Sequence, residues 1–259
     1  MKSNLHFFRF VFAILTIIQA LNSESFEIGC KFYGYEWSSL GERYTCGASL
    51  VEVQNESTTT VSSVSGDHIL NRTNADVKAV EFSGQKTYYI IQNLVDFFPH
   101  MEELYVFRSD LKKLSRSDFT NYKNFKAVSL SRNHLSTVPY ETFEDLINLE
   151  YFSLSFNQLT SIPNLKTLPQ LQELYLFENS IESFSKDDIS GNPNLKVIWL
   201  YQNKLKVIDP RIFPTLTNLR EIDLSNNNCI DRKYSADESE DTNSTLINIV
   251  DEIKKNCAF

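Results

Sequence analysis

The chain has 259 residues and a formal net charge of −8 at pH 7, from 25 basic and 33 acidic side chains. An acidic chain without a basic block is a poor partner for nucleic acid or for an anionic membrane surface, because both attract proteins through positive charge. The sequence contains no phosphate-binding glycine loop, dinucleotide fingerprint, G-x-S-x-G elbow or zinc-spaced histidine pair. We therefore expect a protein that is not an enzyme, with no catalytic residues, no metal and no cofactor.

The first residues predict a secretory signal peptide over 1–23. Lys2 and Arg9 precede the apolar run 11–18, and a small residue follows at Ala20, which is the usual order of features in such peptides. The run is shorter than the roughly 20 apolar residues that cross a bilayer, and no later stretch is as apolar. We therefore expect a secreted, extracellular protein without membrane insertion. Removal of the leader takes away two basic residues and no acidic one, so the mature net charge is about −10.

The segment 24–76 is predicted to form an N-terminal cap. It contains Cys30 and Cys46, the alternating stretch 49–53, and the polar run 55–67. Alternation of apolar and polar residues is typical of a strand or hairpin. The chain has four cysteines in all, and an even number in a secreted chain favours disulfides over free thiols.

One pattern, leucine-x-x-leucine-x-leucine-x-x-asparagine-x-leucine, recurs between residues 77 and 229. One copy is LQELYLFENSI at 171–181. Similar copies begin at 125, 149, 195 and 219, and looser copies begin at 77 and 101. Successive copies are 24 residues apart, with one spacing of 22. A fixed period of this length indicates a solenoid of stacked units, none of which can bury its apolar side alone.

These repeats resemble those of the leucine-rich repeat family, in its extracellular form with units of about 24 residues. The resemblance covers about seven repeats over residues 77–229. It implies an α/β solenoid: an arc with a parallel β-sheet on the concave face, an irregular or helical convex side, and disulfide-bonded caps. The tyrosine-rich N-terminal segment makes the chain similar to small secreted members of the family from insects. Roles such as innate recognition, adhesion or matrix assembly are what the resemblance implies.

Within each unit, alternate residues of the strand point inward and the residues between them face water. Leu174 and Leu176 are the inward pair of the copy at 171. Phe143, Phe184 and Phe213 are expected to fill the convex half of the core.

The ninth position of the pattern is asparagine in five units: Asn133, Asn157, Asn179, Asn203 and Asn227. The chain turns there and leaves backbone groups that cannot join the sheet. We expect the side-chain amide to bond to those groups in its own and adjacent repeats, which is a structural role and not a ligand-binding one. Gln85 and Ser109 replace it in the first two units, which should be less regular.

Residues 230–259 are predicted to form a C-terminal cap with an amphipathic helix. Its apolar face is Leu246, Ile249, Val250 and Ile253. Seven parallel strands at about 4.8 Å per step span roughly 29 Å, whereas a disulfide tolerates at most about 7 Å between its α-carbons. The predicted disulfides are therefore Cys30–Cys46 and Cys229–Cys257.

Three sequons for N-linked glycosylation lie outside the repeats, at Asn55, Asn71 and Asn243. The motif is short and arises by chance, so each asparagine can equally be an unmodified surface residue. Glycans at these positions would leave the repeats uncovered.

The fifth and seventh positions of each strand should face water on the concave side, yet some of them are aromatic. Two adjacent units supply Tyr175, Phe177, Trp199 and Tyr201. Equivalent residues of neighbouring units lie side by side, so these four rings should form one patch. Patches of several hundred Å² often mark interaction sites, and aromatic residues dominate the binding energy of interfaces.

A second, smaller aromatic pair is predicted at Tyr105 and Phe107, separated from the first patch by the serines of two units. Arg108 and Arg132 occupy the eighth positions of adjacent units and would add a cationic pair beside the depression that the serines leave. Exposed arginines are common, so a solvated position is the favoured explanation of this pair.

These features favour a secreted binding protein that recognises a protein or glycan partner through its concave face. The plain alternative is that the rings stabilise the sheet by stacking across strands, at about 0.2–1 kcal/mol per pair. Two other functions stay open: a structural protein that assembles with itself as a homo-oligomer or coats a matrix, and a binder of a small apolar ligand.

Overall fold

The computed structural model describes residues 25–36, 39–50, 52–53, 59–236 and 242–257, the last range with side chains from 247 onward. Some sequence predictions therefore lie outside the described part of the chain: the signal peptide 1–23, the sequon at Asn55, and the side chains of Asn243 and Leu246. Asn71 is described and exposed, and its glycosylation stays a prediction.

The described part of the N-terminal segment forms three strands: β1 (Phe26–Tyr35), β2 (Arg43–Ser49) and β3 (Val61–Ser65). β1 pairs antiparallel with β2, and a disulfide joins Cys30 to Cys46 across this hairpin, with their α-carbons 5.1 Å apart. β3 pairs parallel with the start of β1. The hairpin thus covers the open end of the repeat stack with a disulfide-linked layer.

Each repeat contributes one strand at the position that its leucines predict. The remaining strands are β4 (Ala79–Ser83), β5 (Glu103–Phe107), β6 (Ala127–Ser129), β7 (Tyr151–Ser153), β8 (Glu173–Tyr175), β9 (Ser183–Phe184), β10 (Val197–Trp199), β11 (Val207–Ile208), β12 (Glu221–Asp223) and β13 (Lys233–Ser235). Within the described residues they form an eleven-stranded sheet in the order β13-β12-β10-β8-β7-β6-β5-β4-β2-β1-β3, and β9 pairs separately with β11.

The strands of the sheet from β2 to β12 run parallel, and equivalent positions of successive repeats are partners. Val197, for example, pairs with Glu173 on one side and with Glu221 on the other. This register confirms the predicted α/β solenoid. It also places every third, fifth and seventh position of the repeats on one face of the sheet, because side chains alternate along a strand.

The return segments form short helical turns rather than long helices. The described ones are the 3-10 turns Asn74–Asp76, Arg116–Asp118, Lys186–Ile189 and Pro210–Thr215, and the α-helix α1 (Leu94–Phe97). Phe143, Phe184 and Phe213 are buried, as the sequence predicts. Phe143 packs edge-on against Phe152 of β7, with ring centroids 4.7 Å apart, so the two halves of the repeats share one core.

The ninth-position asparagines bond to the backbone as predicted, and Asn157 is representative. Its Nδ2 donates to the carbonyl of Leu154 in its own repeat and to that of Leu130 in the preceding repeat, both at 3.0 Å. Its Oδ1 accepts from the backbone N–H of Leu135, also at 3.0 Å. Each amide therefore ties two successive turns together and leaves none of these buried backbone groups unpaired.

The first two repeats use other side chains at this position. Ser109 is fully buried and its hydroxyl lies 3.0 Å from the carbonyl of Phe107 and 3.3 Å from that of Phe82. Gln85 reaches outward instead and accepts a bond from the backbone N–H of Leu50 in the cap. The substitution in the first repeat thus links the repeats to the N-terminal segment.

The C-terminal end is closed by β13, which pairs antiparallel with β12, and by the helix α2 (Thr242–Asn256). Ile249 and Ile253 of this helix are buried, and a disulfide joins Cys229 to Cys257 with α-carbons 5.1 Å apart. Both disulfides join the pairs that the sequence predicts. In the part of the chain that is described, no helix combines the length and apolar character needed to cross a bilayer.

A second, smaller apolar cluster lies on the concave side of the first repeats. Ala79, Tyr105 and Ala127 are buried in it, and Leu40 of the N-terminal segment packs against them. Arg43 of the same segment donates to the carboxylate of Glu103 at 2.8 Å. The cap therefore covers both the end of the solenoid and the adjoining part of its concave face.

Candidate functional site

Six aromatic rings lie next to one another on the concave face, and we call them the aromatic surface: Tyr151, Phe156, Tyr175, Phe177, Trp199 and Tyr201. All six are partly exposed. The four rings predicted from two adjacent repeats are among them, and the structure brings them together. Tyr175 meets Trp199 edge-on at 4.9 Å between ring centroids, while Phe177 stacks on Tyr201 at 4.5 Å.

Sequence reasoning missed Tyr151 and Phe156. Tyr151 occupies the third position of its repeat, which faces the same side as the fifth and seventh because side chains alternate along the strand. Its ring lies 5.1 Å from that of Tyr175. Phe156 occupies the eighth position, and its ring lies 5.2 Å from that of Phe177. Extending the period-two count to the third position would have found Tyr151.

The eighth position adopts a left-handed backbone conformation in every repeat. The residues are Gly84, Arg108, Arg132, Phe156, Glu178, Gln202 and Asn226, with φ between 53° and 65°. This conformation is uncommon for residues other than glycine. It recurs because the chain must turn away from the sheet at the end of each strand. The turn sets the eighth side chains along one edge of the concave face.

The predicted pair of Tyr105 and Phe107 does not form a second free patch. Tyr105 is only 2% exposed, because Leu40 and the neighbouring strands cover its ring. Its hydroxyl donates to Glu103 at 2.7 Å, and Phe107 packs against the same cluster. The prediction was wrong for Tyr105, since the N-terminal segment occupies the surface on which a partner was expected.

Arg132 belongs to the aromatic surface. Its guanidinium carbon lies 3.7 Å from the centroid of the Phe156 ring, which is a close cation–π contact. Arg108 occupies the equivalent position one repeat earlier and is exposed. The two arginines therefore have different surroundings, and only Arg132 contributes to the surface formed by the rings.

Carboxylates fix the orientation of the central rings. The hydroxyl of Tyr175 donates to Glu173 at 2.8 Å, and the indole N–H of Trp199 donates to Glu221 at 2.8 Å. Burial, and the bond to Glu173, raise the pKa of Tyr175 well above its usual range. Burial also raises the pKa of Tyr151 to about 12, with a smaller contribution from the negative charge of Glu173. Both hydroxyls therefore stay protonated at physiological pH.

A hollow of about 820 Å³ lies beside the rings. Its floor includes Ser131, Ser153 and Ser155, whose hydroxyls form a hydrogen-bonded chain with distances of 2.7 and 3.2 Å. Glu36 and Ser39 of the N-terminal segment line it as well. The hollow is thus bounded by aromatic rings from the repeats and by polar residues from the cap.

In the described ranges, no three His, Cys, Asp or Glu side chains are grouped so that they could hold a metal ion. What the concave face offers instead is an aromatic surface beside a hollow. The fold defines a solenoid protein built from stacked repeats.

Comparison with known proteins agrees with this class. Family models described as "Leucine rich repeat" match residues 99–159 and 169–229, and one described as "Leucine Rich repeats (2 copies)" matches 147–190. Together the matches span half of the chain, so the protein belongs to the leucine-rich repeat family. No curated protein matches the chain.

Solved structures with the same fold include Toll from Drosophila in its complex with Spatzle, with 24% identity over 60% of this chain and a TM-score of 0.51. The glycosylated form of that complex has 26% identity over 60% of this chain and a TM-score of 0.48. The complex of TLR13 with ssRNA13 has 23% identity over 60% and a TM-score of 0.49. The match spans 24%, 24% and 26% of those chains, about a quarter of their length.

Proposed function

We propose that this protein is a secreted binding protein that recognises a protein partner through the aromatic surface. The observation that carries the proposal is the continuity of six partly exposed rings on one face of the sheet. An aromatic side chain can bury on the order of 150–250 Å². Even with part of each ring covered by its neighbours, the surface reaches several hundred Å², a size at which apolar patches often mark interaction sites.

The arrangement of the rings supports binding more than simple stacking. The polar atoms of Tyr175 and Trp199 are already bonded to Glu173 and Glu221, so a partner meets partly exposed rings held in fixed orientations. A partner that binds to fixed side chains loses less conformational entropy than one that must order them. Tyr151, Tyr175 and Trp199 also lie on strands of the sheet, which limits their movement.

An extracellular location and a protein partner are supported by separate observations. One disulfide lies within the N-terminal cap and one joins the last repeat to the C-terminal cap, and disulfides are typical of proteins in oxidising compartments outside the cytosol. The solved Toll structure is a complex with Spatzle. Its likeness to this chain is a likeness of fold, and it is compatible with a protein ligand here.

The test is capture of partners from extracellular fluid by the purified wild-type protein and by Trp199→Ala. Tyr140→Ala is the matched control, because Tyr140 is 65% exposed and is not one of the rings of the surface. We expect wild type and Tyr140→Ala to retain a protein that Trp199→Ala loses, with a cost of about 2 kcal/mol or more in affinity. Thermal unfolding should be nearly the same for all three proteins.

Two outcomes would contradict the proposal. If Trp199→Ala unfolds readily and still captures the same protein, the rings stabilise the sheet and do not bind. If enzymatic removal of glycans from the captured material abolishes its retention, the surface recognises a glycan and not a protein.

A further inference from the structure

The border of the aromatic surface is mainly acidic. Its carboxylates are Glu36, Glu173, Glu178, Glu221 and Asp223, and its cations are Arg132 and Lys233. Glu36, Glu173 and Arg132 line the hollow itself, and the guanidinium of Arg132 lies over the ring of Phe156. An acidic border lowers the free energy of a cation that approaches the rings and raises that of an anion.

The carboxylates differ in how fully they are neutralised. Glu221 forms an ion pair with Lys233 at 3.1 Å. Glu173 accepts a hydrogen bond from Tyr175, but among the described residues no lysine or arginine pairs with it. Glu173 is therefore a negative charge at the wall of the hollow that is bonded only to a neutral donor.

The rings add to this preference for positive charge. The face of an aromatic ring carries the negative part of its quadrupole and attracts cations. The same surface already shows this contact within the chain, where the guanidinium of Arg132 lies 3.7 Å from the centroid of Phe156. Tyr175 and Trp199 donate their polar hydrogens to carboxylates and meet each other edge to face, and both rings stay partly exposed.

We propose that the protein partner presents a cationic side chain, arginine in particular, to the hollow beside Glu173. The guanidinium stacks on the face of Tyr175 or Trp199 and donates hydrogen bonds to the Glu173 carboxylate. Arginine suits this position better than lysine, because its planar guanidinium both stacks on aromatic faces and matches the geometry of a carboxylate. This inference rests on the proposed function, since it specifies what the aromatic surface recognises.

The test uses short synthetic peptides that are identical except that alternate positions carry arginine, glutamine or glutamate. Alternate positions share one face of an extended peptide. Binding is followed by the fluorescence of Trp199 in a Trp37→Phe background, because the chain has two tryptophans. We expect a saturable change with the arginine peptide, at least about tenfold weaker binding of the glutamine and glutamate peptides, and weakening of the arginine peptide by salt.

Glu173→Gln is the decisive variant, and Glu182→Gln is its matched control. Glu182 is an exposed carboxylate that pairs with Lys206 and does not line the hollow. We expect Glu173→Gln to weaken the arginine peptide about tenfold and Glu182→Gln to leave it unchanged. Equal binding of the three peptides, or an unchanged affinity in Glu173→Gln, would overturn the inference. If capture of a partner depends on Trp199 but not on Glu173, the proposed function is supported and only the inference about arginine is overturned.

Discussion

The indole N–H of Trp199 lies 2.8 Å from a carboxylate oxygen of Glu221, one repeat further along the chain. The same carboxylate forms an ion pair with Lys233 of β13, the strand that closes the C-terminal end of the sheet. The one indole ring of the described aromatic surface is thus held by a residue of the next repeat, and that residue is held by the C-terminal cap. The orientation of the binding surface therefore depends on contacts that cross from one repeat to the next.

Glu221→Ala should release the Trp199 ring without removing it. A partner must then order the indole on binding, which costs about 0.5–1.5 kcal/mol for one side chain, so affinity should fall about three- to tenfold. The steady-state fluorescence anisotropy of Trp199 in the Trp37→Phe background measures the added motion, and surface plasmon resonance with the captured partner measures the affinity.

The control for this change is Lys233→Ala. It removes the ion pair to Glu221 but leaves the hydrogen bond from the indole, so the ring should stay ordered and the affinity should change little. Unaltered anisotropy in Glu221→Ala would show that packing against Tyr175 alone fixes the ring.

Asn157→Ala should destabilise the fold without touching the aromatic surface. It removes the side chain that bonds to the carbonyls of Leu130 and Leu154 and to the N–H of Leu135. A buried polar group left unpaired costs about 1–3 kcal/mol, and partial entry of water reduces the sum. We therefore expect a loss of roughly 2–4 kcal/mol in the free energy of unfolding, measured by urea denaturation.

Asn164→Ala is the matched control, because the Asn164 amide also bonds to backbone groups, but at exposed positions: it donates to the carbonyl of Tyr140 and accepts from the N–H of Lys166. Surface substitutions of this kind usually change stability by about 0.5 kcal/mol or less. Similar losses in the two variants would mean that the ninth-position amides contribute no more than surface hydrogen bonds.

The repeats could be predicted from the sequence because their contacts are local and periodic. Leu174 and Leu176 alternate with Tyr175 and Phe177, and the period of two fixes which side chains face the core. The period of 24 residues then places equivalent residues of adjacent strands side by side. From these two periods the strand positions, the ninth-position amides and the four central rings all follow.

The part that could not be predicted depends on a segment without a period. Nothing in the sequence around Leu40 and Arg43 indicates that these side chains lie over the concave face, where they meet Tyr105 and Glu103 some 60 positions further along. An aromatic residue at the fifth position has the same local pattern whether it is covered or free. Tyr105 and Tyr175 therefore looked equivalent in sequence, and only the folded cap separates them.

Loss of the C-terminal disulfide should loosen the cap before the repeats. The bond joins residues 28 positions apart, Cys229 and Cys257, and a loop of that length corresponds to about 3–4 kcal/mol of restricted unfolded-chain entropy. In the Cys229→Ser, Cys257→Ser variant we expect amide hydrogen exchange to become faster than in the wild type, and the increase should be larger in α2 than in β8 and β10. Uniformly faster exchange throughout the chain would show instead that the helix and the repeats unfold as one unit.

Arg43→Met tests the ion pair between Arg43 of the N-terminal cap and Glu103 on the concave face. The effect of this substitution on stability should depend on pH. The carboxylate of Glu103 is buried and bonded to Arg43 and to the hydroxyl of Tyr105. Burial raises the pKa of Glu103 above its usual value, although the bonds from Tyr105 and the charge of Arg43 oppose the rise. Removing the guanidinium removes part of that opposition, so the pKa of Glu103 should rise further.

The sign of the pH dependence follows from the raised pKa. A carboxyl group with a higher pKa in the folded protein than in the unfolded chain contributes stability that is fully present below the unfolded pKa, about 4.3 for glutamate. This stability is lost as pH rises through the folded value. Arg43→Met should therefore lose little stability at about pH 4, where Glu103 is protonated, and roughly 2–4 kcal/mol at neutral pH, where an unpaired buried carboxylate remains. Urea denaturation at the two pH values measures both losses.

The double variant Arg43→Met, Glu103→Gln separates charge from packing. Because glutamine does not titrate, the extra loss of stability at neutral pH should disappear. Any loss that comes from the smaller packing area of methionine should stay the same at both pH values. An Arg43→Met loss that is the same at about pH 4 and at neutral pH would mean that Arg43 stabilises this end of the solenoid by packing and not through its charge.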